Sequence, residues 1–216
     1  MLYRQLWVSY IVPTALAIIN NTIAYRAADI TRAFTARGGR TGALFRHENL
    51  LYGYLESTQP IDLHMLWDHL LGDMLVSVPS VNGSRVAIEL PDIYHDGMPG
   101  DTPHWRARGY TPQKRVGSLA RIKPDMYCSY VYYHFLRQEE LPHGFNKYYI
   151  IGAHEFQIFS YQEWPATVDD PKPKGSFNSQ LTPKNWQELM HIHFDLWPNQ
   201  PKETQEWIRL PLLWEL

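Results

Sequence analysis

VPTALAIINNTIAY, residues 12–25, and KPDMYCSYVYYHFLRQEE, residues 123–140, are the two stretches whose comparison decides the fold. Each follows a strand-like run, Tyr3 to Val12 in the first case and Arg115 to Ile122 in the second. Six and ten residues past Pro13 stand Ile19 and Ile23; six and ten past Pro124 stand Tyr130 and His134. Positions four apart share one helix face. One plan therefore occurs twice, with core residues on that face in the first copy and a phenol and an imidazole in the second.

Outward from these helices the two copies continue alike. In the first, a helix over Thr14 to Ala36 is closed by Gly38-Gly39. Thr41 to Phe45 and Leu50 to Glu56 then form a hairpin signal around Arg46-His47-Glu48-Asn49. Leu63, Leu66, Leu70 and Met74 place a second helix over Ile61 to Val76, and Arg85 to Tyr94 supplies a closing strand. In the second copy a helix from Asp125 to Glu140 stops at Pro142, and a hairpin pairs Lys147 to Ile151 with Phe156 to Gln162. Helical signal returns over Lys184 to Asp195 and Glu203 to Arg209, and a short last strand follows Pro211. Asp96 to Lys114, with Pro99, Pro103, Pro112, Gly97, Gly100 and Gly109, reads as a linker, and Trp164 to Pro183 as an inserted surface loop.

The expected fold class is α+β: two ferredoxin-like β-α-β-β-α-β repeats, 1–95 and 115–216, joined by 96–114. Each sheet has one face covered by its own helices, so packing the two sheets face to face makes an intrachain dimeric α/β barrel.

The 216 residues are 44% hydrophobic and 19% charged, as in an ordinary folded protein. A net charge of −2 leaves no nucleic-acid partner to expect. Leu6 to Ile19 is shorter than a membrane span and is broken by Pro13, so no membrane association and a cytoplasmic location are expected. One cysteine, Cys128, excludes an internal disulfide, and its place in the helix predicts a buried, inert thiol. His191 and His193 lie two apart and point to different helix faces, with no carboxylate or cysteine pattern to complete a metal set; both read as surface residues. Glu139-Glu140 reads as a solvated helix end.

The second copy resembles the L-rhamnose mutarotase family, dimeric α/β barrels that interconvert sugar anomers. The segments that carry the likeness are Lys123-Pro124-Asp125, Tyr130 and His134, Asn146-Lys147-Tyr148 and Thr204-Gln205-Glu206-Trp207. In the first copy they are Asn49 to Glu56, Trp67 and Glu89 to His95. The resemblance implies that His134 is the proton-donating histidine, that Tyr130 and Tyr148 contact the sugar, and that Trp207 stacks on it. It implies no cofactor and no metal, with a small monosaccharide as partner; whether the chain pairs further, as a homodimer of pseudo-dimers, is left open. The chain departs from the family at Ile208, where a second tryptophan stands, and in a shorter helix after His134. Gly42 occupies the first copy's counterpart of Tyr148.

Opening a pyranose ring needs one proton delivered to the ring oxygen and one removed from the anomeric hydroxyl, and an imidazole titrating near neutrality suits both. Two other readings use the same residues. One is a sugar-binding or regulatory protein that has lost the chemistry; the other is a monooxygenase-like barrel enzyme, cofactor-free or haem-linked.

Overall fold

The computed structural model describes residues 2–81, 83–100, 105–106, 110–169 and 171–216. The chain divides into two compact units, 1–90 with 210–216, and 91–209.

In the first unit β1 (Tyr3–Tyr10) leads through a 3-10 turn at Pro13–Ala15 into α1 (Ile19–Tyr25) and α2 (Ala27–Ala36). The single helix expected over 14–36 is thus three pieces, and Arg26 sits outside helical geometry at the junction (φ −89°, ψ 7°). Gly38, at φ +86°, ends α2 in the left-handed region that glycine alone enters freely. The hairpin follows as β2 (Gly39–His47) and β3 (Leu50–Ser57). Then α3 (Leu63–Leu71) begins where the Asp62 carboxylate accepts the Met65 N–H at 2.9 Å. Two short strands, β4 (Val78–Ser80) and β5 (Gly83–Arg85), pair with each other, and β6 (Ile88–Glu89) returns to β1.

In the second unit β7 (Asp92–His95) precedes β8 (Lys114–Arg121). A 3-10 turn at Pro124–Met126 opens α4 (Tyr127–Glu140), with proline pre-set for the first turn and Asp125 complementing the helix dipole. The second hairpin is β9 (Ile150–His154) and β10 (Gln157–Trp164). After the insertion come α5 (Trp186–His191), β11 (Ile208–Arg209) and, back in the first unit, β12 (Leu212–Glu215). The segment expected as a helix from Glu203 to Arg209 is a 3-10 turn at Lys202–Thr204 and this short strand.

Both sheets are antiparallel, with strand order β12-β2-β3-β1-β6 in the first and β11-β8-β10-β9-β7 in the second. Four strands of each follow the ferredoxin-like order, and the fifth is exchanged. After β6 the chain joins the second sheet as β7 against β9; after β11 it joins the first as β12 against β2. The run expected as one closing strand, Arg85 to Tyr94, is consequently divided between β5, β6 and β7, and the boundary expected at 95 falls at 90. Pro91 stands at the crossing point, where a residue without an N–H cannot extend the pairing of β6.

The expected linker is also part of the second unit. Asp96 and Trp105 are buried, and Arg106 binds Glu163 through both guanidinium nitrogens at 2.8 Å. Its Pro103 and Gly109 lie outside the described residues.

Candidate functional site

Tyr130 and His134 emerge on the inner face of α4 and are 1% and 6% exposed, whereas Ile19 and Ile23 are sealed at 0%. Around the first pair is a cavity of about 390 Å³ within the second unit. Its wall is made by Tyr94, Tyr130, His134, Arg137, Phe145, Tyr149, Trp186, Gln187, Met190, Phe194, Glu206 and Trp207. That volume fits a small organic molecule, and seven of the twelve side chains are aromatic. In the first unit Ile19 and Ile23 pack with Trp7, Trp67 and Trp214 in the core, and Trp67 stacks on Trp7 at 5.5 Å.

Of the four residues expected at the site, three converge. Tyr130, His134 and Trp207 share the cavity; Tyr148 does not. Its hydroxyl donates to the Trp105 carbonyl at 2.9 Å, and the Arg106 guanidinium lies 4.7 Å from its ring centroid. The cavity tyrosine is Tyr149, one residue on. Pairing explains the slip: Ile151 opposes Ser160 as Leu44 opposes Gly53, so counting back places Tyr149, not Tyr148, at the position of Gly42. Neighbouring residues of an extended segment face opposite ways, and a one-residue error exchanges inside for outside.

His134 is held in one tautomer. Its Nδ1 lies 2.9 Å from the Tyr130 carbonyl, which can only accept, so Nδ1 carries the hydrogen and Nε2 keeps a lone pair. Burial pulls the imidazole pKa down to about 3, with the Arg137 and His193 charges adding to the effect and the Tyr130 carbonyl opposing it. At neutral pH the ring is therefore uncharged and its Nε2 lone pair is an acceptor. Tyr130, Tyr94 and Trp186 enclose it at centroid distances of 4.0, 5.3 and 5.0 Å.

The tyrosines behave oppositely. Burial pushes the Tyr130 pKa well above its usual value, aided by Tyr149, Glu206 and Tyr94, so its hydroxyl stays protonated. Burial also takes Tyr149 up to about 12, against a hydrogen bond with Ser160. Glu206 is paired with exposed His191 at 2.5 Å. His193, expected at the surface, is buried; its Nε2 is 2.8 Å from Ser129 Oγ and its Nδ1 bonds the Leu189 carbonyl at 2.7 Å, tying α4 to the end of α5. Cys128 is exposed, not buried as expected, because it lies on the outer face of α4.

Tyr94, Arg137, Tyr149 and Trp186 went unpredicted. Tyr94 arrives on the exchanged strand β7, which nothing local in the sequence assigns to the second sheet. Arg137 had a signal: it follows His134 by three and so shares its helix face. The loop carrying Phe145 and Tyr149 is fixed by Asp96, whose carboxylate accepts the N–H groups of Gly144, Phe145 and Asn146 at 2.7, 2.9 and 2.6 Å. The insertion is likewise anchored. Glu140 accepts the Leu181 and Thr182 N–H groups and the Ser179 hydroxyl, which holds its pKa down at about 2. Asp169 binds His143 and Lys147 at 2.7 and 2.9 Å. Glu139 and Glu140 are thus anchors for the insertion, not a free helix end.

Among the described residues no cluster of three or more His, Cys, Asp or Glu could hold a metal, and no helix is long and apolar enough to cross a membrane.

No protein family matches the chain by sequence profile, and no curated protein matches it. Solved structures do. A candidate monooxygenase of Fusobacterium nucleatum aligns at 6% identity and a TM-score of 0.43, over 99% of this chain and 93% of its own. A candidate monooxygenase of Lactobacillus acidophilus aligns at 7% and 0.40, over 99% and 95%. An anthrone oxidase-like protein aligns at 11% and 0.35, over 98% and 90%. Likeness at this level leaves the chemistry to be argued from the site itself.

Proposed function

We propose that the second unit takes up a planar, weakly acidic aromatic molecule and promotes its oxidation by dioxygen without a resident cofactor. The supporting observation is the neutral imidazole of His134, its Nε2 lone pair fixed by the Tyr130 carbonyl, on the wall of an aromatic cavity. Nε2 takes the proton of a phenol or enol. The resulting anion transfers an electron to dioxygen, and recombination at an electron-rich ring carbon forms a carbon–oxygen bond. Collapse of the peroxide with loss of water leaves a quinone-type carbonyl, so CH₂ and O₂ become C=O and H₂O.

The anion formed beside the ring raises the imidazole pKa as it forms, which favours the transfer. The test is oxygen uptake with anthrone and dihydroxynaphthalenes, for wild type and His134→Gln. Uptake that is absent, or equal in the two proteins, would sink the proposal.

A second reading keeps the sugar, favoured by Tyr130, His134 and Trp207 sharing one cavity. There His134 accepts the anomeric proton and Tyr130, which stays protonated, delivers one to the ring oxygen. It ranks second because the lining offers more ring surface than hydroxyl partners. Saturation-transfer NMR with L-rhamnose and L-fucose decides it: exchange no faster than in buffer rejects the mutarotase.

A further inference from the structure

Arg137 brings a positive charge to the same wall as His134. Its guanidinium lies 4.7 Å from the Trp186 ring centroid and shares the cavity wall with Tyr94. Among the described residues no carboxylate stands within ion-pair distance of it. The two acids nearby are committed elsewhere. Asp96 receives three backbone N–H groups and the Tyr94 hydroxyl at 3.2 Å, and Glu206 is held by His191. A half-buried guanidinium is weakly hydrated and presents a planar fork of donors matched to a carboxylate. Fastening Trp186 would account for the cation–π contact alone, since that uses the face of the guanidinium and leaves edge donors to point at the cavity.

We propose that Arg137 seats a carboxylate, so that the molecule taken here is a hydroxyaromatic acid with its hydroxyl at His134 and its carboxylate at Arg137. This rests on reading the cavity as an aromatic-ligand site. His134 and Arg137 are three apart on α4, so one fused-ring ligand lying along Trp186 reaches both.

The experiment is calorimetry on the full chain with 2-naphthol, 2-naphthoate and 6-hydroxy-2-naphthoate, each alone. The two acids should bind roughly tenfold or more tighter than the naphthol, as a charge-assisted pair implies. Arg137→Gln should erase that preference, weakening the two acids far more than the naphthol, and Arg137→Lys, which keeps charge without the fork, should retain part of it. Should Arg137→Gln fold poorly, the wild-type preference must shrink as salt is raised. Equal binding of naphthol and naphthoate by wild type, or a preference that survives Arg137→Gln, overturns the carboxylate subsite while the aromatic reading stands. Binding of none of the three compounds overturns both.

Discussion

His134→Gln should make the protein less sensitive to mild acid. The wild-type imidazole titrates near 6.5 in the unfolded chain and near 3 when folded, because burial penalises its charged form. Between those values the unfolded chain binds the extra proton, so stability rises with pH across the window and falls as pH is lowered through 6.5 towards 3. At pH 7.5 the effect is close to zero. At pH 5 the unfolded side is favoured by about 1.5 units, or ~2 kcal/mol at 1.36 kcal/mol per unit. Glutamine can keep a hydrogen bond to the Tyr130 carbonyl but has no proton to gain. Urea unfolding at both pH values, followed by circular dichroism, should show wild type losing ~2 kcal/mol more than the variant. Separate transitions for the two units would place the difference in the second. Equal losses, within about 0.5 kcal/mol, would mean that the imidazole is not desolvated, and the acceptor assigned to the site would go with it.

Three further outcomes follow from the packing. Trp214→Ala removes a 6% exposed indole from the first core and should cost ~3–5 kcal/mol in unfolding experiments, while naphthol binding in the second unit stays unchanged. Asp96→Asn presents an amide to three backbone donors; it should cost ~2–3 kcal/mol and weaken naphthol binding, because Phe145 and Tyr149 lose their anchor. Glu140→Gln should speed tryptic cleavage after Lys174 without changing ligand affinity. The same loosening should appear in wild type as pH falls below about 4.5 towards 2, where the carboxylate protonates.

How much of this was legible in the sequence depends on how local each signal was. The duplication was readable because Pro13 and Pro124 mark equivalent strand ends and the helix period projects Ile19/Ile23 and Tyr130/His134 from them. The hairpins were readable because turn residues separate runs of strand formers. The fifth strands were not. Both Asp92–His95 and Leu212–Glu215 follow prolines and alternate like any edge strand, and which sheet they join depends on partners far away in the chain. Tyr94 was lost to the site for that reason, and Tyr149 for a one-residue register error that only the pairing of β9 with β10 resolves. Trp105 and Arg106 hid in a glycine- and proline-rich segment that composition assigns to solvent, yet the buried charge of Glu163 draws that segment in.

The exchange of fifth strands also bears on why the helix face of Tyr130 and His134 opens on a cavity while that of Ile19 and Ile23 is filled with core. Tyr94 pairs with Ile151 as Trp214 pairs with Leu44, each after a bulge at the same place, so the two rings are counterparts. In the second unit the Tyr94 ring stands edge-on to His134 at 5.3 Å and helps to wall the cavity. In the first, the larger Trp214 packs edge-on to Phe34 at 5.8 Å and its indole donates to Thr31 Oγ1. A Cβ at Gly42 would lie 3.1 Å from that indole, so the position that bears a tyrosine in the second unit is already crowded by Trp214 in the first. Isoleucines at 19 and 23, tryptophan at 214 and glycine at 42 are one coordinated packing solution. Restoring His at 23 by itself would bury an imidazole with no cavity for Nε2 to face. The polar face of α4 is therefore a property of its whole surroundings, including a strand that the chain supplies from beyond the first repeat.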